Sequence, residues 1–131
     1  MKRDILFRGI NFQKEWVYGD LFHSYANDDI AIAYYREGSK TPIFDAIFPE
    51  SFGQYTGLTD KNGVKIFEGD VVIIGEKLKA KVIYYDGAFR MQSEFSPTPI
   101  DTTDMGYMMR EFSVRVIGNI HDNPELIKKS V

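Results

Sequence analysis

Lys77, Lys79 and Lys81 occupy alternate positions, and Tyr85 falls in the same phase. In an extended strand successive side chains point to opposite faces, so these four share one side. Ammonium groups so placed could track a phosphate backbone while the tyrosine ring stacks on a base. The pattern also has a purely structural reading, since lysines on the outer side of a strand discourage edge-to-edge pairing with other chains.

Other chemistries find less support. Asp20, Glu68, Asp70 and Asp86 stand at strand ends or turns, where short acidic side chains commonly accept backbone amides; a catalytic role for Asp20 or Asp70 would need a paired carboxylate. His23 and His121 are the two histidines, and no His-x-His or His-x-x-x-His spacing occurs. Asp60-Lys61-Asn62-Gly63 begins like a calcium loop, but Val64, Lys65 and Val71 stand where an oxygen ligand, a glycine and a glutamate are required. Gly53-Gln54-Tyr55-Thr56-Gly57 matches no phosphate-binding loop and lacks the helix that would aim amides at a phosphate. No Gly-x-Ser-x-Gly elbow is present. The absence of cysteine excludes disulfides, thiolate nucleophiles and thiolate-held metals. The chain is therefore expected to be no enzyme and to carry no metal or cofactor.

The elements that would position these residues read as strands. Segments 5–7 and 15–22 are expected as strands joined through Gly9, Asn11 and Gln13, with Trp16 at the core or its rim. A polar turn at 24–29 leads to a strand at 30–36, in which Ile30, Ile32 and Tyr34 share one face and Ala31, Ala33 and Tyr35 the other. A further strand at 43–48 must end at Pro49 or lie on an edge. Asp60-Lys61-Asn62-Gly63 is a tight turn, and 66–74 reads as one long strand. Segment 77–91 is a hairpin turning at Asp86-Gly87, with Leu78, Ala80, Val82 and Tyr84 opposite the lysine face. After a proline-bearing loop at 96–103, Asp104 can cap a short helix over 105–111. A strand at 114–117 follows, and Asn123-Pro124-Glu125 starts a terminal helix that Lys128 and Lys129 would finish.

With 131 residues, 44% hydrophobic and 27% charged, the composition is that of a folded domain able to bury roughly two-thirds of its unfolded surface. The net charge of −3 disfavours loose, charge-driven binding to nucleic acid, although a local patch escapes that average. Three apolar residues before Arg8 are too few for a signal peptide, and no apolar run is long enough to span a membrane. A cytoplasmic protein is expected.

Six motifs in order carry a family resemblance: Phe7-Arg8-Gly9; Trp16-Val17-Tyr18-Gly19-Asp20-Leu21; Gly53-Gln54-Tyr55-Thr56-Gly57-Leu58; Asp60-Lys61-Asn62-Gly63; Ile66-Phe67-Glu68-Gly69-Asp70-Val71; and Val116-Ile117-Gly118-Asn119-Ile120-His121-Asp122-Asn123-Pro124-Glu125-Leu126. With these the chain resembles the YopX family of phage and prophage proteins. Segments 23–48 and 90–113 contribute no matching motif. The resemblance implies a small, cytoplasmic, β-rich phage accessory protein and brings no catalytic residue to this chain. Segment 66–85 is also similar to the opening of SH3-like barrels, an analogy of fold alone.

The expected fold is mainly β (α+β): antiparallel strands in one YopX-like domain over 1–131, with sub-parts 1–50 and 51–131. An SH3-like barrel is expected in the C-terminal half, together with a short C-terminal helix. The expected function is a non-enzymatic interaction module that meets a host or phage protein or a second copy of itself. The alternative is a nucleic-acid-binding module using Lys77, Lys79, Lys81 and Tyr85.

Overall fold

The computed structural model describes residues 3–24, 29–99 and 102–127, so parts of the expected turn at 24–29 and loop at 96–103, and Lys128 and Lys129, lie outside the described residues. The chain divides into two compact units, Met1–Tyr55 and Thr56–Val131. It is mostly antiparallel strand, as the residue pattern predicts, with one short α-helix among the described residues. No helix among the described residues is long and apolar enough to cross a membrane.

The first unit contains β1 (Phe7–Ile10), β2 (Trp16–His23), β3 (Ile30–Tyr34), β4 (Ile43–Ala46) and the start of β5 (Gly53–Thr59), hydrogen-bonded in the order β4-β3-β2-β1-β5. Alternation places Val17 and Ile32 on one side of the sheet, where they bury with Ile47 against Phe7, Ile30, Tyr34 and Phe52. Strand β1 starts two residues later than expected and runs through Gly9, where it pairs with Val17 of β2 and where Ile47 fills the space a side chain would occupy. The turn falls instead at Asn11, whose Oδ1 accepts the amides of Gln13 (3.0 Å) and Glu15 (2.9 Å). Strand β4 is an edge, and a 3-10 turn starting at Pro49 follows it, consistent with a residue that cannot donate to a ladder. In that turn buried Ser51 accepts the Ile10 amide at 2.7 Å and donates to the Phe48 carbonyl at 2.6 Å.

In the second unit β5 pairs with β6 (Lys65–Phe67) across the turn at 60–63. A second sheet contains β7 (Asp70–Ile74), β8 (Leu78–Tyr85), β9 (Ala88–Ser93), β10 (Thr103–Asp104) and β11 (Val114–Asn119), in the order β10-β9-β8-β7-β11. Its core joins Val72, Ile74, Ala80, Val82, Met91 and Val114 to Ile66 and to Met105 of α1 (Met105–Glu111). As expected, the Asp104 carboxylate caps α1, accepting the Tyr107 amide at 3.1 Å. Asp86 and Gly87 both have positive φ, 53° and 78°, which is the tight hairpin geometry the pair predicts.

Three expectations are corrected here. The single strand at 66–74 is two strands in different sheets, parted where Gly69 takes φ 93° and the buried Asp70 carboxylate accepts the Phe67 amide at 2.7 Å. The SH3-like barrel does not close: β10, only two residues long, and β11 are unjoined edges of an open sheet. At Asn123 the described chain forms a 3-10 turn, Pro124–Leu126, rather than the start of an α-helix, and the Asn123 side chain is turned back to accept the Asn119 amide.

One carboxylate ties the second unit together across 56 residues of sequence. Asp60 is buried; its Oδ1 accepts the amides of Asn62 (2.8 Å) and Val64 (2.9 Å), and its Oδ2 accepts that of Val116 in β11 (2.9 Å). Burial pushes its pKa up, but the three amides and the nearby Arg115 charge outweigh that and hold it below the usual carboxylate value.

Candidate functional site

Strand β8 is paired on both sides, by β7 and by β9. Its Leu78, Ala80 and Val82 pack toward the core, leaving Lys79, Lys81, Ile83 and Tyr85 on the opposite face. Lys79 and Lys81 are half-buried and Tyr85 is exposed. Lys77 does not belong to this row: it precedes β8 in the exposed turn at 75–77. The central position of β8 also removes edge protection as the reason for its lysines, because β8 has no free edge to guard.

The ladders bring two further cations into the row that reading β8 alone leaves out. Ile73 of β7 faces both Lys79 and Arg115 of β11, and Ile83 faces Arg90 of β9. Arg90 is held in place, its Nε donating to the Tyr85 carbonyl at 2.9 Å and its Nη1 to that of Thr102 at 3.4 Å. The strand neighbours of Lys81 are Val71 and Gln92. Three carboxyl-bearing residues adjoin the row: Asp104 opposite Arg90, already capping α1; Glu94, whose amide donates to the Lys79 carbonyl at 3.1 Å; and Asp60, whose carboxylate feels the Arg115 charge. A period-two reading of β9 and β11 would have marked Arg90 and Arg115 as outward, but only the register places them beside the lysines.

The first unit offers a second surface. On the side of its sheet away from the core stand Tyr18, Asp20 and Phe22 of β2, Ala31 and Ala33 of β3, and Phe44 of β4. Tyr18, Phe22 and Phe44 are 47%, 47% and 56% exposed, and Tyr35, just past β3, is 65% exposed. Phe22 and Phe44 meet edge to face at 5.0 Å across the small side chains of β3. Trp16, expected at the core or its rim, falls in phase with Tyr18 on this outward side instead, half-buried with the Arg8 guanidinium 4.5 Å from its ring centre. The alternation of Ala31, Ala33 and Tyr35 was the available signal, but which strands would lie beside it was not in the sequence pattern.

Three of the carboxylates singled out from sequence have different settings within their own units. Asp20 is exposed on the aromatic face of the first unit; Asp70 is buried in the second, where it accepts a backbone amide; Asp86 sits in the hairpin turn. His23 closes β2, and the His121 amide donates to the Asn119 side chain in a turn.

Open antiparallel sheets and one short α-helix among the described residues define a mostly β protein of two small units. Residues 6–128 match the family model described as YopX protein, so the chain belongs to the YopX family. It is also similar to the crystal structure of protein EF1440 from Enterococcus faecalis: 26% identity, a TM-score of 0.59, and coverage of 97% of this chain and 100% of that one. A comparison with curated proteins finds no match.

Proposed function

We propose that the chain is a phage-derived accessory protein acting in the host cytoplasm as a non-enzymatic protein-interaction module. Its docking surface is the outward face of the first unit's sheet. The observation that carries this reading is the exposure of Tyr18, Phe22 and Phe44 around small alanines on one side of the sheet. Aromatic side chains bring large contact area at low entropic cost, and clusters of them exposed on a soluble surface mark interaction sites.

The charge of the face defines the partner. Asp20 stands between Tyr18 and Phe22, whereas Arg8, the cation in the same register, is buried against Trp16. The complementary surface is therefore a protein segment carrying apolar side chains and a lysine or arginine to meet Asp20. Affinity capture from infected cells tests this with wild type, Phe44→Ser, Asp20→Lys and, as a control in the second unit, Tyr84→Ser. A partner held by wild type and Tyr84→Ser but lost by both of the others supports the reading. Capture unchanged in Phe44→Ser and Asp20→Lys overturns it, as does light scattering in which a second copy of the chain alone occupies the face.

A further inference from the structure

We infer that the outward face of the second unit's sheet is a phosphate-backbone site for single-stranded nucleic acid. The row runs Arg115, Lys79, Lys81, Arg90 over four adjacent strands, β11, β7, β8 and β9, with β7 contributing Ile73 between the first two. Strand geometry sets the Cα spacing: about 10 Å from Arg115 to Lys79 and about 7 Å from Lys79 to Lys81. From Lys81 the diagonal to Arg90 is about 7–8 Å. A row of cations so spaced follows an extended strand of phosphates.

Three features favour an anionic ligand over a merely solvated face. The lysines are half-buried on a central strand, so they neither protect an edge nor project freely into water. Arg90 is anchored by two backbone carbonyls, which orders its guanidinium before any ligand arrives. Tyr85, with 38% exposure, lies at the Arg90 end of the row beside Ile83, giving bases a ring and an aliphatic surface to stack on. The row lies on an open sheet face beside Ile83 and Tyr85, onto which the bases of a single strand can splay and stack, so single strands are the fitting class.

Fluorescence anisotropy with labelled 12-nucleotide single strands of DNA and RNA, and a duplex of equal length, at low salt tests the assignment. Four contacts predict a log-log salt slope near −3, from about −0.7 per phosphate on single strands. The Lys79→Ala/Lys81→Ala variant is expected to bind at least tenfold more weakly with a slope shallower by about 1.4. Lys79→Arg/Lys81→Arg should retain binding, Tyr85→Ala should weaken it, Glu94→Gln should strengthen it, and Lys40→Ala in the first unit should leave it unchanged. Thermal melts of each variant exclude loss of fold as the cause. No binding, binding unaffected by the double alanine variant, or duplex bound as tightly as single strand overturns the inference.

Discussion

Replacing Asp60 by asparagine probes the side-chain contact between the turn at 60–63 and β11, which stands beside a backbone bond from the Lys61 amide to the Val114 carbonyl at 3.2 Å. The asparagine carbonyl can still accept the Asn62 and Val64 amides that Oδ1 holds, but its NH2 group would face the Val116 N–H that Oδ2 accepts at 2.9 Å. Losing one charge-assisted hydrogen bond and leaving a donor opposed to a donor destabilises by about 2 kcal/mol. A protein of this size should then melt about 8 °C lower, at about 4 °C per kcal/mol. Asp60→Ala strips all three amides of their acceptor and should cost about 4 kcal/mol.

The pH dependence separates this account from simple loss of packing. Because the folded pKa lies below the ordinary aspartate value of 3.8, the carboxylate's contribution is fully present above that value. It is lost as pH falls through the lowered folded pKa. The melting gap between wild type and Asp60→Asn, followed by far-ultraviolet circular dichroism, should be widest near neutrality and narrow as pH falls below 3.8. Hydrogen exchange at the Val116 amide should accelerate in the variant. Trp16, the single tryptophan, lies in the first unit and is not a reporter for this change. A variant melting within 2 °C of wild type at pH 7, a difference of about 0.5 kcal/mol, would refute the reasoning, as would a gap that stays constant into acid.

Other outcomes follow for the first unit. Burial, and then the Asp45 carboxylate that accepts its hydroxyl at 2.9 Å, raise the pKa of Tyr34. Its stabilisation is present below the ordinary tyrosine value of 10.0 and lost as pH rises through the raised value; ultraviolet titration should show Tyr34 ionising earlier in Asp45→Asn than in wild type. Gly9→Ala drives a methyl group into Ile47 and should destabilise by about 2 kcal/mol, read from the Trp16 fluorescence melt. An unchanged melt would mean that the sheet yields at no cost.

Local chemistry made much of this fold legible. Asp86-Gly87 adopts its hairpin turn because those two residues tolerate positive φ, and Asp104 caps α1 because its short carboxylate reaches an unpaired amide. The 60–63 turn is equally local in its bonds to Asn62 and Val64. Hydrophobic continuity misled at 66–74: Ile66, Phe67 and the apolar run from Val71 look like one strand, yet Gly69 and the Asp70 side chain break the ladder between them.

For the candidate surfaces, the sequence by itself determined which residues share a phase: Lys79, Lys81 and Tyr85 on one side of β8, Ala31, Ala33 and Tyr35 on one side of the segment around β3. Those are consequences of a backbone period of two, set by the local chain alone. Only the tertiary structure decided that β8 is central and that Arg90 and Arg115 join its lysines. It also decided that Phe22 and Phe44 meet across β3. Strand order and register come from pairing between distant segments, whose energy depends on how every face buries at once, and no local pattern carries that information.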